Sequence, residues 1–174
     1  MKKINRQSGL IFSVLLFLIV TKGFSQTTNH QVYSLFVMNI AKYSAWPSLS
    51  GEFRITVVGK SKVYDELAKI MGSKTINGLP MKVNQVEDIA DIGNQELIYL
   101  SDGKSSMLDD LLKAIAGKSI MIITEREGLF KKGAGFSFVL TDNNTLRFDI
   151  NNSELEKRQI KVSKNLTTLA NSIL

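Results

Sequence analysis

The chain of 174 residues is 44% hydrophobic and 22% charged, which is typical of one globular domain and excludes collagen-like, coiled-coil and disordered classes. The absence of Cys excludes disulfides, iron–sulfur clusters, thiolate zinc sites and cysteine nucleophiles. Because His30 is the single imidazole, multi-histidine metal sites and Ser-His-Asp hydrolysis are also disfavoured. The composition therefore predicts neither a metal site nor a cofactor.

The first 25 residues have the pattern of a secretory signal peptide. Three basic residues, Lys2, Lys3 and Arg6, precede an apolar run from Gly9 to Val20, and Lys22 and a small-residue exit at Gly23–Ser25 follow it. No acidic residue lies in this segment. A helix over that run rises about 18 Å, which is short of the roughly 30 Å hydrocarbon core of a bilayer. We predict cleavage between Ser25 and Gln26, which leaves residues 26–174 as one exported domain.

The formal charge of +6 depends on that segment. Without its four basic residues, 18 Lys and Arg remain against 16 Asp and Glu. No basic cluster is interleaved with aromatic residues as a nucleic-acid-binding face requires. We therefore expect no nucleic-acid partner.

The mature chain begins with a predicted amphipathic helix whose apolar positions run from Val32 to Tyr43 and which Pro47 stops. The β-branched run from Phe53 to Gly59 predicts a strand, and Ser61 is the expected N-cap of a helix reaching Met71. The order is thus helix, strand, helix.

Alternating strands and helices continue to position 124. Strands are predicted over 81–86, 96–100 and 119–124, with a short helical stretch over 88–92 and a helix over 105–116. This alternation predicts a parallel sheet with right-handed crossovers. The fold expected is a single-domain α/β three-layer sandwich with a mostly parallel sheet, strand order 2-1-3-4, and helices on both faces.

The last third changes to an antiparallel pattern. Phe136–Leu140 and Leu146–Ile150 alternate apolar and polar residues around the turn residues Asp142-Asn143-Asn144, which predicts a hairpin. A terminal helix is predicted from the N-cap Ser163 through Ile173, packed back onto the sheet.

Three motifs with possible chemistry have simpler structural interpretations. Val58–Ser61 lacks a phosphate-loop Gly where Arg54 stands, and the Asp142–Thr145 turn lacks the Gly and acidic ligands of an EF-hand. The pairs Asp109-Asp110 and Glu125 with Glu127 are assigned to solvated surface. No set of nucleophile, base and charge-stabilising group emerges, so we expect no enzymatic activity.

Two groups of residues are candidates for binding. Trp46 is either a core anchor or a partner-facing aromatic, and Arg147, Asp149 and Asn151 form either a polar recognition strip or an ordinary solvent face. A small ligand would occupy the crevice at the carboxyl ends of the strands. The candidate partner-binding residues are Tyr43, Trp46, Arg147, Asp149 and Asn151, and the candidate crevice residues are Gly59, Lys60, Ser61, Ser101 and Asp102.

A series of stretches in a fixed order resembles the YfiR family of periplasmic regulators over about residues 32–170. The matching stretches are Phe36–Pro47, Ile55–Gly59, Ile76–Pro80, Glu96–Ser101, Gly117–Ser119, Gly133–Phe138, Leu146–Asn151 and Ile160–Ala170. Two departures stand out, because Glu96 takes a position that is often Cys in relatives and Ala134 replaces the second Gly of a usual pair.

The resemblance implies a non-catalytic periplasmic protein that binds the periplasmic part of an inner-membrane signalling protein, such as a diguanylate cyclase or a sensor kinase. It implies repression of that protein, and hence control of cyclic-di-GMP. It also implies a homodimer and a second partner associated with the outer membrane or peptidoglycan. The alternative left open by the residues is a small-molecule sensor that uses the strand-end crevice.

Overall fold

The structure is a computed structural model that describes residues 28–174. The predicted signal peptide over residues 1–25 lies outside the described residues. Within the described part, no helix combines the length and the apolar character needed to cross a membrane.

Over residues 28–174, the structure contains five α-helices, three 3₁₀ turns and ten strands. The α-helices are α1 Thr28–Lys42, α2 Lys62–Met71, α3 Leu108–Ala114, α4 Asn152–Lys157 and α5 Lys164–Leu169. The 3₁₀ turns are Ile89–Asp91, Asp102–Met107 and Leu129–Lys132. The strands are β1 Ser44–Ala45, β2 Phe53–Val58, β3 Thr75–Ile76, β4 Leu79–Val86, β5 Leu97–Leu100, β6 Met121–Thr124, β7 Phe136–Leu140, β8 Leu146–Ile150, β9 Lys161–Val162 and β10 Ser172–Ile173.

Eight strands form one mixed sheet in the order β10-β8-β7-β6-β5-β2-β4-β3. Strands β4, β2, β5, β6 and β7 are parallel neighbours, and β7 and β8 form an antiparallel hairpin. The remaining strands β1 and β9 pair antiparallel as a separate ribbon. The switch in strand order lies between β2 and β5, since β2 is followed in sequence by β4 on one side and then by β5 on the other.

Side chains from both faces of the sheet are buried under helices. One face packs on α1 and α2 through residues such as Val37 and Leu67, and the opposite face packs on α3 through Leu108 and Leu111. Strand β5 is buried at every position, as expected for a central parallel strand covered on both sides. The mixed α/β architecture predicted from the alternation is thereby confirmed.

Two predicted helices are shorter than their patterns indicate. The stretch predicted as a helix over 105–116 begins as a 3₁₀ turn at Asp102 and becomes α-helical only over Leu108–Ala114. The stretch over 88–92 is a single 3₁₀ turn, in which the Asp88 carboxylate accepts a hydrogen bond from the Ala90 amide.

The predicted C-terminal helix is wrong beyond Leu169. Ala170 is extended at ψ 147°, and Ser172–Ile173 join the sheet edge parallel to β8. Backbone amides of Asn171 and Leu174 donate to Phe148 and Ile150 at 2.8 and 2.9 Å. The free edge of β8 thus supplies backbone hydrogen bonds to the last residues. These bonds stabilise the extended chain more than a helix would, because the helix would bury little of its apolar side chains.

Glu96 joins β2 to β5 at their amino ends. Its carboxylate accepts hydrogen bonds from the Arg54 amide at 2.7 Å and from the Arg54 guanidinium at 2.8 and 3.3 Å. The Glu96 side chain is 11% exposed, so these are largely desolvated, charge-assisted bonds. The same interaction raises the pKa of Arg54.

Glu96→Ala is therefore expected to lower the free energy of unfolding by about 1–3 kcal/mol, because it leaves the Arg54 donors without their carboxylate. Urea unfolding followed by circular dichroism measures the change. Asp110→Ala removes a carboxylate of the exposed pair with Lys113 and is the matched control, expected to leave the midpoint almost unchanged. Equal midpoints for the two variants would contradict the role given to Glu96.

Candidate functional site

Trp46 lies inside the fold. Its side chain is 9% exposed, and its ring meets Phe53 edge-on with the centroids 4.9 Å apart. The indole Nε1–H donates to the backbone carbonyl of Glu96 at 3.1 Å. These are the contacts of a core anchor, since both the apolar body and the polar tip of the indole are satisfied within the chain.

Tyr43, by contrast, presents its side chain to solvent at 51% exposure just after α1. Its backbone carbonyl accepts a hydrogen bond from the Ser163 amide at 2.9 Å, and Ser44 pairs with Val162 in the β1–β9 ribbon. The Tyr43 ring therefore projects from backbone that is held by hydrogen bonds to the neighbouring strand β9 and to Ser163.

The predicted polar strip on β8 is divided between surface and interior. Arg147 is exposed, whereas Asp149 and Asn151 are buried at 5% and 6% exposure. The Asp149 carboxylate accepts from the Asn171 side-chain amide at 2.9 Å, because β10 covers this edge of the hairpin.

The Asn151 side chain has three hydrogen-bond partners, one of which is the Ser153 hydroxyl that donates to Asn151 Oδ1 at 2.9 Å. Its side-chain amide donates to the Phe130 carbonyl at 2.7 Å, and its Oδ1 accepts from the Glu154 amide at 3.0 Å as the N-cap of α4. The bond to Phe130 ties the end of β8 to the Leu129–Lys132 turn, and the bond from Glu154 ties it to the start of α4.

Two of the five predicted crevice residues, Gly59 and Ser101, lie against each other at the switch point between β2 and β5. Gly59 has φ +89°, and a Cβ at this position would collide with Ser101 Oγ and would lie 2.5 Å from Lys104 Cγ. Lys104 in turn donates to the Glu87 carbonyl at 2.9 Å. The space directly beside Gly59 is therefore filled by the protein itself.

The other crevice candidates have different environments. Lys60 and Asp102 are exposed, and Ser61 Oγ accepts a hydrogen bond from the Val63 amide as the N-cap of α2. Ser101 Oγ is buried and has no hydrogen-bond partner among the described residues. A buried hydroxyl without a partner is uncommon, because it loses its hydration without compensation.

A cavity of about 350 Å³ opens beside this switch point, between α1 and the carboxyl ends of β5, β6 and β7. We call it the carboxyl-edge cavity. Its apolar wall is made by Tyr33, Phe138 and Leu140, and its charged wall by Asp102, Glu125, Arg126 and Glu127.

The charged wall is held in place by hydrogen bonds across the strand ends. Arg126 Nε donates to Asp102 Oδ1 at 2.7 Å, and Glu125 Oε2 accepts from the Asp102 amide at 3.2 Å. The Arg126 guanidinium lowers the pKa of Asp102. Asp102 and Arg126 thus compensate one another, and the half-buried Glu125 and the exposed Glu127 leave the wall with net negative charge.

Tyr99 lies behind this wall with its side chain fully buried. Its hydroxyl has no hydrogen-bond partner within the described chain. Burial raises the pKa of Tyr99 well above its usual value, and the neighbouring Glu125 carboxylate raises it further. The hydroxyl is therefore a neutral polar group directed at Glu125.

The raised pKa of Tyr99 predicts that the protein is less stable at alkaline pH. The unfolded chain loses the Tyr99 proton near pH 10 while the folded state retains it, so the free energy of unfolding is expected to fall as the pH rises through and above 10. Urea unfolding at pH values between 8 and 11 measures this dependence, and tyrosinate absorbance should show one of the four tyrosines ionising only on unfolding. Tyr99→Phe should make the dependence shallower, and an unchanged slope would contradict the assignment.

Sequence reasoning located the strand ends but missed several residues of the cavity. The assignment of Glu125 and Glu127 to solvated surface agrees with the exposure of Glu127 and the partial exposure of Glu125, but it does not indicate that both line one cavity. Tyr33 and Tyr99 carried no signal beyond their apolar positions in a helix and a strand. Within the described residues, no group of three or more His, Asp or Glu side chains is arranged to hold a metal ion.

Comparison with known proteins gives one family and a set of fold relatives. A family model described as YfiR/HmsC-like matches residues 30–171. An ABC domain from Streptococcus pneumoniae, solved in complex with L-Trp, superposes with a TM-score of 0.56 at 10% identity over 83% of this chain and 60% of its own. A conserved domain protein from Vibrio cholerae gives a TM-score of 0.55 at 13% identity over 84% of this chain and 60% of its own. At these identities the likeness concerns the fold, and this chain spans 60% of the length of either structure.

Proposed function

The chain belongs to the YfiR/HmsC-like family of periplasmic regulators of cyclic-di-GMP signalling, as its sequence resemblance indicated, and we propose that it binds and represses the periplasmic part of an inner-membrane signalling protein. The observation that carries the proposal is the match over residues 30–171, which covers nearly all of the domain. The signalling protein is a diguanylate cyclase or a sensor kinase, and this chain acts on it by contact rather than by catalysis.

The surface proposed for that contact includes Tyr43 and Arg147. Both side chains are exposed, and both stand on backbone that is fixed in a β-ladder or beside one. An exposed tyrosine on a rigid support is a favourable interface residue, because it buries a large area at little cost in conformational entropy. Trp46, Asp149 and Asn151 contribute to the same function by holding this surface in shape.

Affinity capture tests the proposal. Tagged mature protein, residues 26–174, is used as bait with detergent-solubilised envelopes of its own source organism. We expect enrichment of an inner-membrane protein that carries a cytoplasmic signalling domain, and a loss of at least tenfold in the captured amount with the double variant Tyr43→Ala, Arg147→Ala.

The matched control is Lys113→Ala, which truncates an exposed side chain of α3 whose ammonium is paired with Asp110. It should capture as the unaltered protein does, and all baits should have the same melting temperature. Failure to enrich a membrane signalling protein in repeated captures would remove the repressor proposal.

Three further features belong to the same proposal: cleavage between Ser25 and Gln26, a homodimer, and a second partner at the outer membrane or peptidoglycan. The cleavage site rests on the signal-peptide pattern of residues 1–25, and the dimer and the second partner rest on what the resemblance to the YfiR family implies. Intact mass of the exported protein tests the cleavage, light scattering after size exclusion tests the dimer, and co-sedimentation with isolated peptidoglycan tests the second partner.

A small-molecule sensor is the second candidate function. It is favoured by the carboxyl-edge cavity beside the switch point, where open α/β sheets commonly bind ligands, and by the buried Tyr99 and Ser101 hydroxyls without partners in the described chain. Sensor and repressor are compatible, since a ligand can bias which partner is held. A ligand that raises the melting temperature of the mature protein would support this function.

A further inference from the structure

We infer that the outer face of α1 is the interface of a homodimer, in which α1 of one copy packs antiparallel on α1 of a second copy. This interface rests on the proposed function, because the homodimer is named there without a surface. Three features of α1 point to it: an outer face with almost no charge, large exposed apolar side chains on that face, and a residue pattern that pairs with itself.

Helix α1 lacks the charged outer face of an ordinary surface helix. Lys42 is the one Lys, Arg, Asp or Glu residue among its fifteen residues. In α2, by comparison, four of the ten residues are charged, namely Lys62, Asp65, Glu66 and Lys69. A helix without a strongly polar outer face is typically covered by another element.

Two large apolar side chains stand on the outer face of α1. Leu35 is 57% exposed and Tyr43 is 51% exposed. The Tyr43 amide donates to the Asn39 carbonyl at 2.9 Å, which continues the helical hydrogen bonding one residue beyond Lys42. Leu35, the exposed Asn39 and Tyr43 therefore follow one another at four-residue steps along one face, over a length of about 12 Å. We call these three residues the α1 stripe.

The α1 stripe is self-complementary. An antiparallel second copy with Asn39 on the two-fold axis places Leu35 of each copy against Tyr43 of the other. The two Asn39 amides then face each other, and each has both donors and an acceptor for a reciprocal hydrogen bond. A surface that matches itself in this way fits a two-fold dimer, because such a dimer uses the same patch twice.

Charges beside the stripe favour the antiparallel direction. The Phe36 ring lies with its centroid 6.0 Å from that of Phe138, which lines the carboxyl-edge cavity with its net negative wall. With Asn39 on the axis, Lys42 of the second copy lies opposite Phe36 and hence beside this negative wall. Parallel pairing would instead bring the two Lys42 ammonium groups together, and these repel one another.

The dimer covers Tyr43, which is also part of the surface proposed for the membrane partner. A copy engaged in the dimer therefore cannot present Tyr43 to that partner. Dimer and repressor complex exclude one another in this arrangement.

Sedimentation equilibrium of the mature protein, from about 5 to 500 µM, tests the interface. We expect a monomer–dimer equilibrium with a Kd of about 10–100 µM, which is reasonable for a small interface. Leu35→Asp sets a carboxylate against the Tyr43 ring in both halves of the interface and should weaken the dimer at least tenfold. Leu169→Asp is the matched control, because Leu169 on α5 is equally exposed at 58% and should leave the Kd unchanged. Melting temperatures of all variants are compared first, so that a folding defect is recognised.

Introduced thiols test the pairing, since the chain has no Cys of its own. With oxidised glutathione, Asn39→Cys is expected to form an intermolecular disulfide at least tenfold faster than Lys113→Cys, a change at an exposed position on α3. In a mixture of Leu35→Cys and Tyr43→Cys, the disulfide should join the two different variants rather than two copies of one variant.

A mature protein that stays monomeric at about 500 µM would overturn the inferred interface. A dimer that Leu35→Asp leaves intact, or disulfides that join like variants in the mixture, would overturn the antiparallel pairing of α1. These measurements use purified protein alone, so their failure leaves the repressor proposal standing. Used as bait, the disulfide-linked Asn39→Cys dimer should capture the membrane protein at least tenfold less than the same protein after reduction, and equal capture would overturn the mutual exclusion.

Discussion

Trp46→Ala is expected to lower the free energy of unfolding by about 3–5 kcal/mol, the range for removing a buried aromatic side chain. The indole is 9% exposed and packs edge-on against Phe53, so its loss leaves a cavity at the amino ends of β2 and β5. It also leaves the Glu96 carbonyl without the Nε1–H donor at 3.1 Å. Urea unfolding followed by circular dichroism measures the change.

Two controls separate the core role of Trp46 from a role at a partner surface. Trp46→Phe keeps most of the packing but loses the donor, and should be affected less than Trp46→Ala. Tyr43→Ala truncates a side chain that is 51% exposed a few residues away and should change stability by about 0.5 kcal/mol or less. If Trp46→Ala unfolds at the same urea concentration as the unaltered protein but loses partner capture, the indole acts at an interface instead.

The parallel part of the fold was predictable because its signals are local and strong. Strands such as β5 and β6 are short apolar runs that the structure buries at every position. Each is separated from the next by a helical pattern or a turn, and this alternation specifies parallel neighbours and crossovers. The hairpin β7–β8 was equally predictable, since two runs of alternating apolar and polar residues flank a turn rich in Asp and Asn. In the structure, Asn144 in this turn has φ +58°.

The C-terminal edge was not predictable in the same way. The choice between a helix and a strand over residues 170–173 depends on whether a free edge of β8 lies within reach, which is a property of the assembled sheet. The same holds for the β1–β9 ribbon, whose strands have two residues each and lie more than 100 positions apart. Two-residue strands leave no periodicity to detect.

The location of the candidate site could be predicted from the sequence, but most of the residues that line it could not. A rule about topology located the strand-end crevice, and Gly59 and Ser101 do meet there. Glu125 could not be assigned to a cavity from sequence, because its neighbours Tyr33 and Phe138 come from α1 and β7. The predicted polar strip on β8 rests on the alternation of side chains along a strand, which gives the face of the sheet on which each residue lies. It does not show whether another segment covers that face, as Asn171 does beside Asp149.

Gly59→Ala is expected to lower the free energy of unfolding by about 2–4 kcal/mol, since two separate costs add at this position. The residue has φ +89°, where a Cβ is disfavoured, and the new methyl group would collide with Ser101 Oγ and lie 2.5 Å from Lys104 Cγ. Lys104 cannot retreat freely, because its ammonium is bonded to Glu87. Urea unfolding gives the magnitude.

A second glycine, Gly78, separates the cost of the close contact at position 59 from the cost of the positive φ. Gly78→Ala has a similar φ of +81° with open space around the new Cβ, so it carries the strain alone and is expected to cost about 1 kcal/mol. Ser101→Ala removes a buried hydroxyl without a partner in the described chain and should be neutral or stabilising by itself. Combined with Gly59→Ala it should recover part of the lost stability, because one of the two colliding groups is gone. If Gly59→Ala costs no more than Gly78→Ala, the strand ends relax around the methyl group at no cost, and the tight closure of the switch point assigned here is wrong.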